Sequence, residues 1–217
     1  SILIYKIIYM NNMYKEKYLK YKNKYLSLKN IVSQLGATAG QIQFDNDTLR
    51  TAVELWFFDE AEAMRQYGHI SGWDVSKVTD MNSLFSMGQY SEYFNENISG
   101  WNVGKVENMD YMFNDAVNFN QDIGGWSVRN VESMEGMFIN TRFNNGGSPS
   151  IGGWNVSGVR NTKMMFYDAR GFNQDISRWN ISNVTNMENM FQHAPAFNTK
   201  YPGSEDNPIS VFRPVLP

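Results

Sequence analysis

The sequence predicts an α/β repeat solenoid: about five turns of short parallel strand plus short helix, with a helical cap before them and a degenerate closing turn after. Three observations carry this. One line is written twice, FNQDIGGWSVRNVESMEGMF at 119–138 and FNQDISRWNISNVTNMENMF at 172–191. Trp73, Trp101, Trp126, Trp154 and Trp179 follow one another at intervals of 28, 25, 28 and 25 residues. Apolar residues keep fixed offsets from each tryptophan, and self-similarity at such a period is the mark of a repeat architecture.

The offsets dictate the unit. Ile70, Ile98, Ile123, Ile151 and Ile176 stand three residues before each Trp, and Val75, Val103, Val128, Val156 and Ile181 two after it. Val78, Val106, Val131, Val159 and Val184 stand five after it. This I-x-x-W-x-V-x-x-V string has the spacing of a leucine-rich-repeat core. Trp and the next Val, two apart, predict one face of a short strand. Val184, Met187, Met190 and Phe191 lie at helical spacing, and Thr185-Asn-Met-Glu188 reads as a capping box opening that helix. One such unit cannot bury its apolar side alone, so the units stack. Two three-residue insertions fall in loop-forming MGQYSEY and NNGGSPS. Thr162 replaces a methionine found in the other four units, and a shift of Met164 and Met165 is the expected compensation.

The fixed letters read as core. Asn95, Asn120, Asn144, Asn173 and Asn198, each after a Phe, read as an internal ladder bonding the return loops. The domain limits are a leader at 1–40, a cap at 41–69, repeats at 70–200 and a closing segment at 201–217. In the cap, Leu49, Ala52, Val53 and Trp56 predict one amphipathic helix that ends at Gly68. In the closing segment, ISVF repeats the I-x-x-aromatic spacing and Pro214 ends it.

Composition narrows the function. The chain has no cysteine, which excludes disulfides and thiolate chemistry. The net charge of −3 hides a split, with seven Lys and one Glu in residues 1–40 and an acidic remainder. An acidic repeat body is not expected to bind nucleic acid. The two histidines, His69 and His193, stand in no catalytic motif, and Asp45-Asn-Asp47 lacks the rest of a calcium loop. No catalytic residue, metal or cofactor is therefore expected. SILIYKIIYM is too short to span a bilayer and lacks the charged start of a secretory signal. Met10 and Met13 are both candidate initiators.

Two segments are candidates for partner binding. In the leader, Tyr14, Tyr18, Tyr21, Tyr25 and Leu28 form a heptad seam, with Lys17, Lys20 and Lys24 off it. This predicts a basic amphipathic helix for a partner helix, an acidic surface or anionic lipid. On the predicted strand face, Asp74, Asn102, Ser127, Asn155 and Asn180 follow Trp, with Arg129 and Arg178 nearby. That face is small, polar and flat, which suits another folded protein.

WDVSKVTDMNSLF, WNVGKVENMDYMF and FNQDIGGW resemble the BspA-like leucine-rich-repeat surface proteins, over residues 44–200 or so. The resemblance implies binding or adhesion without catalysis. MYKEKYLKYKNKYLSLKN resembles the Lys/Tyr-rich leaders of giant nucleocytoplasmic DNA virus proteins, and Ala39-Gly40 resembles the maturation sites of such viruses. Together these imply a minor, capsid-associated scaffolding component of a virus particle, with capsid proteins as partners. The alternative they imply is a surface adhesion protein for a host protein or glycan.

Overall fold

The computed structural model describes residues 42–212. Two helices come first: α1, Asn46–Phe58, and α2, Glu60–Tyr67. Asp45 fixes where α1 starts. Its carboxylate accepts from the Thr48 amide while its own amide donates to Thr48 Oγ1, so two orphan donors are satisfied at once. The single helix expected here is broken at Asp59, whose φ of −154° is non-helical and whose side chain caps α2. Leu49, Ala52, Val53 and Trp56 are the buried stripe of α1.

From Ile70 the chain makes five turns, each lying on the one before. Single parallel bridges join Asp80, Asn108, Ser133, Asn161 and Asn186 in one column, seven residues past each tryptophan. Each indole after the first crosses to the preceding turn, while Trp73 Nε1 donates to Gly68 O of the cap. Trp101 Nε1 donates to Ile70 O at 2.9 Å, Trp126 to Ile98 O, Trp154 to Ile123 O and Trp179 to Ile151 O. Phe113, Phe138 and Phe166 stack face to face at 5.6 Å, and in each turn a second Phe stacks on the first, as Phe143 does on Phe138 at 4.0 Å. Trp, Ile, Val, Met and Phe of the repeat thus form one continuous buried core. Ile181, Val184 and Met187 of the fifth turn are only partly buried.

The expected strand-plus-helix unit does not form. Among the described residues there is no strand, only the isolated bridges, and no α-helix stands where the repeat spacing placed one. The strand fails because its backbone is used locally. Trp101 N donates to Ile98 O and Val106 N to Val103 O, so tight turns flank the Trp-x-Val stretch and leave three residues between them. The helix fails at the tenth residue after each tryptophan. Ser83, Tyr111, Gly136, Met164 and Asn189 all have φ between 51° and 61°, a left-handed conformation that a right-handed helix cannot include. Asp115, Asn140, Asp168 and His193 repeat this four residues later. The chain reverses hand twice per turn, and alternate amides then point to the next turn. Met109 N donates to Ser133 O, Tyr111 N to Glu135 O and Phe113 N to Met137 O. The predicted capping box is replaced by an Asx turn, Glu188 N to Asn186 Oδ1.

Two smaller expectations also change. Thr162 stays in the methionine register, buried, and its hydroxyl donates to Asn186 O, while Met165 is buried at its usual place without a shift. The asparagine row does bond turn to turn, Asn120 N to Asn95 Oδ1, Asn144 N to Asn120 Oδ1 and Asn173 N to Asn144 Oδ1. It lies at the surface rather than inside, with Asn95 and Asn173 exposed. Asn198 leaves the row, sits in α3 (Pro195–Lys200) and donates to Phe191 O.

Candidate interaction surface

Stacking puts equivalent residues of successive turns in columns on the surface. The column just after Trp holds the residues singled out from sequence. Asp74, Asn102, Ser127 and Asn155 are exposed, as are Arg129 and Arg178, and Asn180 is half-buried. Four of these side chains are tied to their own backbone. Asp74 Oδ1 accepts from Ser76 N, Asn102 from Gly104 N, Asn155 from Ser157 N and Asn180 from Ser182 N. The Ser76 bonds hold the Asp74 carboxyl below the usual carboxylate range. Such Asx turns set the loop shape and leave one side-chain edge to solvent. Ser127, Arg129 and Arg178 are exposed, and their side chains make no hydrogen bond among the described residues. The leader candidates Tyr14, Tyr18, Tyr21, Tyr25, Leu28, Lys17, Lys20 and Lys24 lie outside the described residues.

A second Asx row precedes the tryptophans, at Asn97, Asp122 and Asp175, which accept from Ser99 N, Gly124 N and Ser177 N. The Asp122 and Asp175 carboxyls are held down, Asp122 first by its Gly124 amide and Asp175 first by the Ser177 hydroxyl.

Sequence reasoning missed a third column, nine residues past each tryptophan: Asn82, Asp110, Glu135, Lys163 and Glu188. Its members bond across turns. Asp110 Oδ1 accepts from Ser133 Oγ and from Glu135 N at 2.7 Å. Glu135 accepts from Tyr111 OH at 2.5 Å and from Asn161 Nδ2 at 2.9 Å, and Lys163 pairs with Glu188 at 2.9 Å. The bond to Glu135 pushes the Tyr111 phenol up to about 12, and the same bond lowers the Glu135 carboxyl. The signal was in the sequence, since this column has the same 28, 25, 28, 25 spacing as tryptophan.

The histidines sit at the two ends. His69 Nδ1 accepts from Ser71 N, its ring meets Trp56 edge-on at 5.2 Å, and Nε2 lies 3.6 Å from Glu96. The His193 ring lies edge-on to Tyr167, and Nδ1 is 3.6 Å from Glu205. Among the described residues no group of three or more His, Asp or Glu could hold a metal ion, and no helix is long and apolar enough to cross a membrane.

Ladders of indoles, phenylalanines and asparagines, one rung per turn, define a stacked repeat protein. The family model described as "Mycoplasma protein of unknown function, DUF285" matches residues 53–149 and 142–207, well over half of the chain. The chain belongs to this family, which is that of the BspA-like repeat proteins. No curated protein and no solved structure matches it.

Proposed function

We propose that this chain is a non-enzymatic protein-binding scaffold. The observation that supports it is the set of surface columns, which repeat one polar side chain per turn over a single rigid core. An extended, preorganised row lets many weak contacts add without ordering costs. Arg129 and Arg178 are the contacts with reach, and arginine is enriched where interfaces are strongest. In the finer reading, on the resemblance of its leader, the chain is a minor capsid-associated component of a giant DNA virus particle. The Tyr seam of residues 14–28 then anchors it, and capsid proteins cover its repeat surface. The family description names Mycoplasma, a cellular source, and this favours a second reading as a surface adhesion protein for a host protein or glycan.

Mass spectrometry of purified particles, against cells and medium, separates the two. The scaffold reading expects the chain in particles, and its loss from them on deleting residues 1–40. Detection on cells or in medium alone would favour adhesion. Arg129→Glu with Arg178→Glu should weaken partner binding at least tenfold with no change in melting temperature.

A further inference from the structure

The end of the stack covered by the helices carries a cleft that neither the repeat nor the scaffold reading explains. It has a volume of about 180 Å³ and is lined by Trp56, Phe57, Tyr90, Tyr93, Phe94 and two carboxylates, Glu60 and Glu96. Its outer wall is an insertion. The first long repeat places its extra residues in a 3-10 segment, Gly88–Tyr93, which carries both tyrosines. Tyr90 is pinned edge-on against Phe58 at 5.2 Å, and Phe57 packs on Phe94 at 5.7 Å. Tyr93 is 75% exposed and Phe58 43%, so the wall presents aromatic surface to solvent.

We propose that this cleft binds an alkylammonium group, such as a lysine side chain. Aromatic faces carry negative quadrupole potential and attract an ammonium within about 6 Å of a ring centroid. The two carboxylates in its lining, Glu60 and Glu96, add attraction of the same sign. Glu60 has no cationic partner among the described residues, and Glu96 faces only His69. The cleft is too small for a drug-sized ligand, which needs roughly 300 Å³ or more. It suits one ammonium head and a short stem. Cation, aromatic walls and carboxylates are complementary in charge, whereas an anion or a neutral sugar would leave both carboxylates uncompensated. The proposal is independent of the scaffold reading, because it concerns the capped end rather than the columns.

The test titrates the full-length chain with tetramethylammonium chloride, n-butylammonium chloride and Nα-acetyl-lysine N-methylamide, whose ε-ammonium is free, at matched ionic strength, followed by NMR of the aromatic rings. Saturable shifts are expected at Tyr90, Tyr93 and Phe57. The neutral isostere 3,3-dimethylbutanol should bind at least tenfold more weakly than tetramethylammonium. Tyr93→Ala should weaken binding about tenfold, and Glu60→Gln should weaken it several-fold. Both positions are exposed, so the melting temperature should hold and serves as the folding control. Tighter binding of the lysine derivative than of n-butylammonium identifies a side chain as the carrier, and the reverse order a free amine; both outcomes support an ammonium site. Equal affinity for the neutral isostere, shifts that fail to saturate, or unchanged affinity in Tyr93→Ala would overturn it.

Discussion

The two ends of the stack solve the same problem unequally. An interior turn meets backbone groups of a neighbour on both sides, and an end turn must find substitutes on one. At the amino-terminal end the substitutes are side chains of the cap. Inside the stack, Glu107 N and Asn108 N both donate to Thr79 O, and in the first turn Thr79 N and Asp80 N donate to Asn46 Oδ1. The amide of Asn46 stands in for the carbonyl of a turn that does not exist. Asn82 O, whose counterpart Asp110 O accepts from Ser83 N, accepts instead from Arg50 Nη1 at 2.8 Å. At the other end only part of this is done. His193 N donates to Glu205 Oε1, but Met187 N and Asn189 N have no acceptor among the described residues. Capping a stack is therefore backbone mimicry as well as apolar cover, and one end has far more of it.

That contrast can be broken at several points. Trp126 lies mid-stack, buried and bonded to Ile98 O, so Trp126→Ala should cost about 3–5 kcal/mol in a denaturation curve. Trp56→Ala, at the cleft wall of the cap, should cost less; equal small losses at both sites would count against one cooperative core. Asn46→Ala strands two amides and should cost about 1–3 kcal/mol. An equally stable variant would mean that the mimicry is incidental.

Hydrogen exchange sharpens the comparison. The amides of Met187 and Asn189 should exchange orders of magnitude faster than those of Met134 and Gly136, which donate to Asn161 O and Lys163 O. Similar protection at both pairs would show that something covers the carboxy-terminal edge.

The smallest expected effect is on pH. Asp45 is lowered chiefly by the Thr48 hydroxyl, Asp74 and Asp175 by the hydroxyls of Ser76 and Ser177, Asp122 by the Gly124 amide and Glu135 by the Tyr111 hydroxyl. A carboxyl lowered in the fold stabilises it above the unfolded value, near 4, and that share is lost as pH falls through the folded value. The melting temperature should hold from neutral pH to about 5 and then fall, and Asp122→Asn should flatten the fall.

The core was legible in the sequence because burial acts on residue type: apart from Met164, which is half-buried, every Trp, Ile, Val, Met and Phe singled out in the three middle turns is buried. Local conformation was not. Tight turns three residues apart produce the same apolar spacing as a helix, so Val184, Met187 and Met190 misled. Only Gly136 and Asn189 mark the first left-handed position, where Ser, Tyr and Met also stand. The second holds Asp115, Asn140, Asp168 and His193, residue types that favour that conformation, a readable sign that was passed over. The Tyr111–Glu135 pair was invisible for another reason, since it joins residues 24 apart whose meeting depends on the register of two turns.

The hand reversals also keep the stack electrically balanced. Between the second and third turns, the amides of Met109, Tyr111, Phe113 and Asp115 point toward the carboxy-terminal end, while those of Glu132, Ser133, Glu135, Arg142, Asn144 and Gly146 point back, to Glu107 O, Asp110 Oδ1, Val117 O and Asn120 Oδ1. Aligned peptide dipoles add along a helix; here the two sets oppose and largely cancel, as they do in a sheet. A stack of such turns can grow without building a helix-like macrodipole, and its ends need only local partners, Arg50 for a carbonyl at one and Glu205 for an amide at the other.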